Sequence, residues 1–95
     1  MIGKKVILRG DRSGLFFGTL ESMDGQVCRL SNARKLWYYS GAGAVEQISV
    51  DGVSNPENSK FTVWVKDMTI TDMIQCLPCT EKAIDVIEKV KEWKA

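Results

Sequence analysis

The chain of 95 residues is 44% apolar and 26% charged, with two prolines, and so excludes intrinsic disorder and collagen-like repeats. At this length a single core is of modest stability, so one domain over residues 1–95 and self-association are both expected. The net charge of +1 hides an asymmetry: residues 1–40 hold seven basic against three acidic side chains (+4), whereas residues 41–95 hold six against nine (−3). A basic half suits an anionic partner, or the acidic half of a second copy.

The chain has no histidine, which excludes Ser-His and Cys-His catalysis and histidine-ligated metals. No apolar run approaches the ~20 residues that cross a bilayer. Lys4 and Lys5 are not followed by the apolar stretch of a signal peptide, so a cytoplasmic location is expected.

Lys4 to Arg9 reads as a first strand, and Gly10-Asp11-Arg12-Ser13-Gly14 as a turn. Leu15 to Met23 reads as a second strand. Asp24-Gly25 predicts a tight hairpin, because both central positions of a type I′ turn need positive φ. Gln26 to Leu30 would return, and Asn32 to Tyr39 is less regular. Ser40 is the expected N-cap of a short helix through Ala44-Val45-Glu46-Gln47-Ile48. Asp51 to Lys60 is the one obvious loop.

Phe61-Thr62-Val63-Trp64-Val65 alternates with period 2, which predicts a strand with Trp64 on its wetter face and open to a partner. Met68 to Leu77 predicts another strand, ended by Pro78. Thr80 then caps an expected helix to about Lys94, with Ala83, Ile84, Ile87, Val90 and Trp93 as one docking stripe. The class is α+β: a small antiparallel sheet with a short middle helix and a C-terminal helix.

Cys76-Leu77-Pro78-Cys79 has the spacing of a redox pair, whose chemistry needs the first thiolate at a helix N-terminus. Here the predicted helix starts after both cysteines, so packing is the expected role. With Cys28 the count is three, one short of a four-cysteine zinc site, and neither a metal nor another cofactor is expected. Asp67 and Asp72 have no neighbour that would separate their pKa values, and Ser40 has no base to activate it. The chain reads as a binder, not an enzyme.

The block Arg34-Lys35-Leu36-Trp37-Tyr38-Tyr39-Ser40-Gly41-Ala42-Gly43 gathers two cations, three aromatic rings and a glycine-rich helix entry. Arg34 and Lys35 suit phosphate, and Trp37, Tyr38 and Tyr39 suit stacking on a base. Ser40, Gly41 and Gly43 would let a ligand approach backbone donors closely. These are the needs of a nucleotide-like ligand.

Phe17-Gly18-Thr19-Leu20-Glu21-Ser22-Met23-Asp24 and Leu30-Ser31-Asn32, preceded by Gly3-Lys4-Lys5-Val6-Ile7-Leu8, resemble the first motif of Sm-like proteins over about 35 residues. That resemblance implies an SH3-like or Sm-like, partly open barrel, ring assembly and single-stranded RNA binding. The second Sm motif is absent from the chain. A second resemblance spans nearly the whole chain. Asn32-Ala33-Arg34-Lys35-Leu36-Trp37-Tyr38, Asn55-Pro56-Glu57-Asn58-Ser59-Lys60-Phe61 and Ile74-Gln75-Cys76-Leu77-Pro78-Cys79-Thr80-Glu81-Lys82-Ala83 resemble a family of small phage and prophage proteins of unknown function. It implies a viral accessory protein.

Together these readings predict a non-catalytic, oligomeric, phage-type protein that binds a small phosphorylated ligand. The expected role is that of a sponge for a cyclic-nucleotide or ADP-ribose-like immune signal, in the cytoplasm of the host cell. The alternatives are a single-stranded nucleic-acid binder that adds Lys4, Lys5 and Arg9, and a protein–protein inhibitor anchored by Trp64.

Overall fold

In the computed structural model, which describes residues 1–94, one six-stranded antiparallel sheet is covered by two helices. Strands β1 (Lys5–Gly10), β2 (Leu15–Asp24) and β3 (Val27–Tyr38) follow one another as a meander. Helix α1 (Val45–Asp51) and a single 3₁₀ turn (Pro56–Asn58) lead to β4 (Lys60–Phe61), β5 (Val65–Ile70), β6 (Met73–Pro78) and helix α2 (Glu81–Lys89). The main order is β4-β3-β2-β1-β6, and β5 lies beside β4 along the same edge of β3. The α+β class and the small open antiparallel sheet are as the sequence implied.

The apolar run Val6-Ile7-Leu8 is fully buried because β1 is central and covered on both faces. Val6 and Leu8 join Phe16, Leu20, Cys28, Leu30, Ala33 and Ile70 in one core. Ile7 joins Leu15, Phe17, Leu36 and Phe61 in the other, against Ile48 of α1 and Ala83 and Ile87 of α2. The sheet curls where β2 meets β3, with register shifts between Phe17 and Thr19 and between Leu20 and Ser22. Gly18 sits in the first shift. A Cβ there would lie 2.8 Å from the Cβ of Ala33, so the close approach of the two strands requires glycine.

Several predicted elements change. Strand β3 runs unbroken to Tyr38, since the segment after Asn32 pairs with β2 and then with β4. The predicted strand at Phe61–Val65 breaks after Phe61, and β5 begins at Val65, whose side chain is exposed. The single strand expected over Met68–Leu77 is two strands joined at Thr71-Asp72, a pair without glycine, and the turn carries the chain from the β3 edge to the β1 edge of the sheet.

Helix α1 starts at Val45 with Ala44 as N-cap and no side-chain cap. Ser40 instead donates its N–H to Ser59 Oγ and lies outside the helix. In α2, Thr80 Oγ1 accepts from the Ala83 N–H at 3.1 Å, as predicted. The helix ends at Lys89 rather than near Lys94. One more turn would need the Ile87 carbonyl to accept from Lys91, but that oxygen already accepts from the Val90 N–H at 3.4 Å and from Arg34 Nη1 at 3.2 Å. The chain then follows β4: Glu92 bridges Phe61, and the Trp93 N–H donates to the Phe61 carbonyl at 2.8 Å. No helix among the described residues is long and apolar enough to cross a membrane.

Candidate ligand-binding cleft

Sheet register sets the floor of a cleft. Arg9 on β1 pairs with Leu15, and the next residue of β2, Phe16, pairs with Lys35 on β3. Both cations are thereby brought to the same end of the sheet but onto opposite faces of it: Arg9 lies with Leu15 on the helix side, and Lys35 lies with Phe16, its ammonium 5.9 Å from that ring's centroid, on the other. The start of α1 forms the opposite wall. The resulting cleft of about 460 Å³ is lined by Arg9, Lys35, Trp37, Tyr39, Val45 and Glu46, together with Gly10, Gly14, Leu15, Leu36 and Ala44. That volume falls within the ~300–1,000 Å³ usual for small-ligand sites.

The β1–β2 turn that rims the cleft is held from a distance. Asp72 accepts from the N–H groups of Arg12 (2.8 Å) and Ser13 (2.9 Å) and from Ser13 Oγ (2.6 Å). The Ser13 hydroxyl and these N–H groups keep its carboxyl below the usual carboxylate range. Gly14, at φ 115°, is favoured by its left-handed backbone, whereas a Cβ there would meet only the flexible Lys35 Cε at 2.7 Å. The lysine stem therefore lies across bare backbone.

Trp37 is half exposed and stacks on Trp93, with ring centroids 4.7 Å apart and planes 15° apart. Lys60 Nζ lies 5.6 Å from both rings. One indole face is thus occupied, and Trp37 also lines the cleft. Tyr39 packs against the helix-side core and also lines the cleft. Tyr38 is half exposed and does not line it.

Arg34 is the main correction to the sequence reading. It is fully buried. Nε donates to Thr62 O (3.0 Å), Nη1 to Ile87 O (3.2 Å) and Val90 O (2.9 Å), and Nη2 to Phe61 O (3.2 Å). Its guanidinium lies 4.7 Å from the Trp64 ring centroid. Burial pulls its pKa down, against the opposing field of Glu92. With its donors engaged by carbonyls, Arg34 is a structural tie and not a phosphate ligand. Trp64, expected on a wet face, is half buried: Arg34 stacks on its ring, and Phe17 meets it edge to face at 6.0 Å. That packing fixes the ring, which also lines a second cavity beside Lys5, Asn32 and Glu88.

The glycine-rich entry is also structural. Gly41, at φ 88°, sits so close to Ser54 and Asn55 that no side chain fits, and its carbonyl accepts from the Ser54 N–H at 3.0 Å. The Ser40 carbonyl accepts from the Asn55 N–H, and the Gly43 N–H donates to Gln47 Oε1 at 2.8 Å. Of the residues singled out from sequence, Lys35, Trp37 and Tyr39 line the cleft; Arg34, Tyr38, Ser40, Gly41 and Gly43 do not. Sequence reasoning placed Arg9 only in the nucleic-acid alternative and missed Glu46. The Arg9–Leu15 register, predictable from the short turn at 10–14, was the signal for the first.

The cysteines behave as packing groups. Burial raises the pKa of Cys28 and Cys76, and it pushes Cys79 up to about 12. Asp67 and Asp72 are not a pair, because Asp67 lies 3.6 Å from Arg29 while Asp72 holds the 10–14 turn.

The family model for a domain of unknown function (DUF6948) matches residues 3–87. The chain belongs to this family. The expected membership of a family of unknown function is thus correct at that level. No curated protein matches. Among solved structures, the chain is similar to a heptameric archaeal Sm protein, at 20% identity, with 83% of this chain and 90% of that one covered and a TM-score of 0.51. The Sm-like fold is therefore shared by this member of the family, as the motif around Gly18 implied.

Proposed function

We propose that this chain is a non-catalytic nucleotide-binding protein whose ligand lies in the cleft between the β1–β2–β3 end and α1. The observation that carries the reading is that Arg9, Lys35, Trp37 and Tyr39 line one cavity at the end of the sheet. Cations suit the phosphate, and an indole face suits the base. Binding without turnover is sequestration. The biological use we attach to it is a phage-type sponge for a cyclic-nucleotide or ADP-ribose-like signal in the host cytoplasm.

Calorimetry with nucleoside monophosphates, cyclic di- and trinucleotides and cyclic ADP-ribose tests the proposal. At least one is expected to bind more tightly than ~1 mM, with Trp37 fluorescence changing in step. Failure of the whole panel refutes it.

The second reading is a single-stranded nucleic-acid binder in an oligomeric ring. It is favoured by the fold likeness to a heptameric Sm protein and by the exposed Lys4 near the basic strands. Ionic strength separates the two. A ring that neutralises many phosphates loses affinity steeply with salt, whereas a ligand with one or two phosphates gives a shallow slope.

A further inference from the structure

We propose that Glu46 reads the edge of the bound base, so that the cleft selects a guanine ring over an adenine ring; the inference rests on the nucleotide-binding reading above. The observation is the charge pattern of the cavity. Arg9 and Lys35 line it, yet so does the acidic Glu46, from the first turn of α1. For a ligand that is only phosphate, an anion in the same small cleft weakens binding. For a guanine nucleotide the pattern is complementary: phosphate on the cations, base edge on the carboxylate.

The match follows from donor and acceptor counts. An ionised carboxylate only accepts. Guanine presents N1–H and the exocyclic amine side by side, two donors for its two oxygens. Adenine presents an amine beside a bare ring nitrogen, which repels the second oxygen. Uracil and thymine flank one N–H with carbonyls, and cytosine sets its amine beside a bare ring nitrogen. Guanine is the ring whose edge offers two adjacent donors.

Glu46 is placed for this role. Gln75 Nε2 on β6 donates to Glu46 Oε2 at 2.9 Å, which anchors the carboxylate, and no side chain among the described residues bonds to Oε1. Arg9 acts on Glu46 through space without closing an ion pair among the described residues. The Gln75 bond and the residue's own backbone N–H, with a lesser contribution from the Arg9 field, hold the carboxyl below its usual range against desolvation, so it is ionised at neutral pH. Trp37, stacked by one face on Trp93, lines the same cavity as Glu46.

The experiment is calorimetry with GMP, IMP and AMP on the full chain and on Glu46→Gln. IMP keeps N1–H and lacks the exocyclic amine. For the wild type, GMP is expected to bind at least about tenfold more tightly than AMP, with IMP between them. Glu46→Gln should bring GMP and AMP within about threefold of each other, mainly by weakening GMP. Equal binding of GMP and AMP by the wild type overturns the base-edge role and leaves the nucleotide reading intact. A tenfold preference that survives in folded Glu46→Gln overturns it too. If none of the three binds more tightly than ~1 mM, the base-edge role fails, and the cyclic ligands then decide the nucleotide reading separately. The wild-type ratio needs no variant, so a Glu46→Gln chain that fails to fold does not remove the test.

Discussion

The Arg34 guanidinium donates to the Val90 carbonyl at 2.9 Å, and through that bond strand β3 holds the end of α2. Three further carbonyls, from Phe61, Thr62 and Ile87, complete its coordination. Truncation leaves buried oxygens without donors and opens the space beneath Trp64. Arg34→Ala is expected to destabilise the fold by at least about 3 kcal/mol. For a domain of this size that lowers Tm by on the order of 12 °C or more. Arg34→Lys should recover only a minor part, because one ammonium cannot reach carbonyls spread over a planar fork. Thermal denaturation checks both, and an Arg34→Ala chain within about 1 kcal/mol of wild type contradicts the assignment.

The strands and the Thr80 cap were legible because their signals are local: Val6-Ile7-Leu8, the Asp24-Gly25 turn, and a threonine ahead of an apolar stripe. The Thr71-Asp72 turn was not, since one aspartate without glycine or proline is a weak break in the β-branched and methionine-bearing run around it. Arg34 could not be placed from sequence. A guanidinium is usually exposed, and its burial depends on carbonyls some 27 to 56 residues away that only the fold assembles. For the same reason the cleft was half legible: Lys35, Trp37 and Tyr39 are neighbours in sequence, whereas Arg9 and Glu46 reach them only through register and helix docking.

Tyrosines 38 and 39 should separate sharply. Tyr39 lines the cleft and Tyr38 does not. Stacking on an aromatic ring contributes about 1–3 kcal/mol per base, so Tyr39→Ala is expected to weaken nucleotide binding about fivefold or more. Tyr38→Ala should leave affinity unchanged. Lys35→Ala should weaken binding at low salt and lose less of its effect at high salt only if the lysine acts by packing. Calorimetry on these three variants, each shown folded by circular dichroism, decides the roles. Equal losses at both tyrosines would place the ligand outside the cleft.

Cys79 gives the fold a predictable weakness in alkali. Its folded pKa is about 12 against a reference value of 9.0, because burial disfavours the thiolate. Below the reference value both states are protonated and the group's contribution is fully present. Above it the unfolded chain releases a proton that the folded chain retains, so stability falls as pH rises from about 9 to about 12. Urea denaturation at pH 7, 9 and 10 should show a steeper loss in wild type than in Cys79→Ser. At pH 8 a thiol reagent should modify Cys79 slowly in the native state and rapidly after unfolding.

The last prediction concerns assembly. Strand β5 pairs only with β3, and β6 only with β1, so each leaves one open edge among the described residues. Open edges carry unpaired N–H and C=O groups that template pairing with another chain. β5 carries exposed Lys66 and Asp67, and β6 ends in Pro78, but β6 still presents half-exposed Ile74 and β5 begins with exposed Val65. Two complementary edges on one chain join head to tail, and such contacts close into rings when the rotation allows. Light scattering at tens of micromolar is therefore expected to give a multiple of the 10.6 kDa chain mass. Ile74→Lys places a charge on the β6 edge without touching either core, so it should shift the species toward monomer while leaving Tm in dilute solution nearly unchanged. A wild-type mass of one chain under these conditions refutes edge pairing. An Ile74→Lys chain that remains fully assembled moves the interface away from β6.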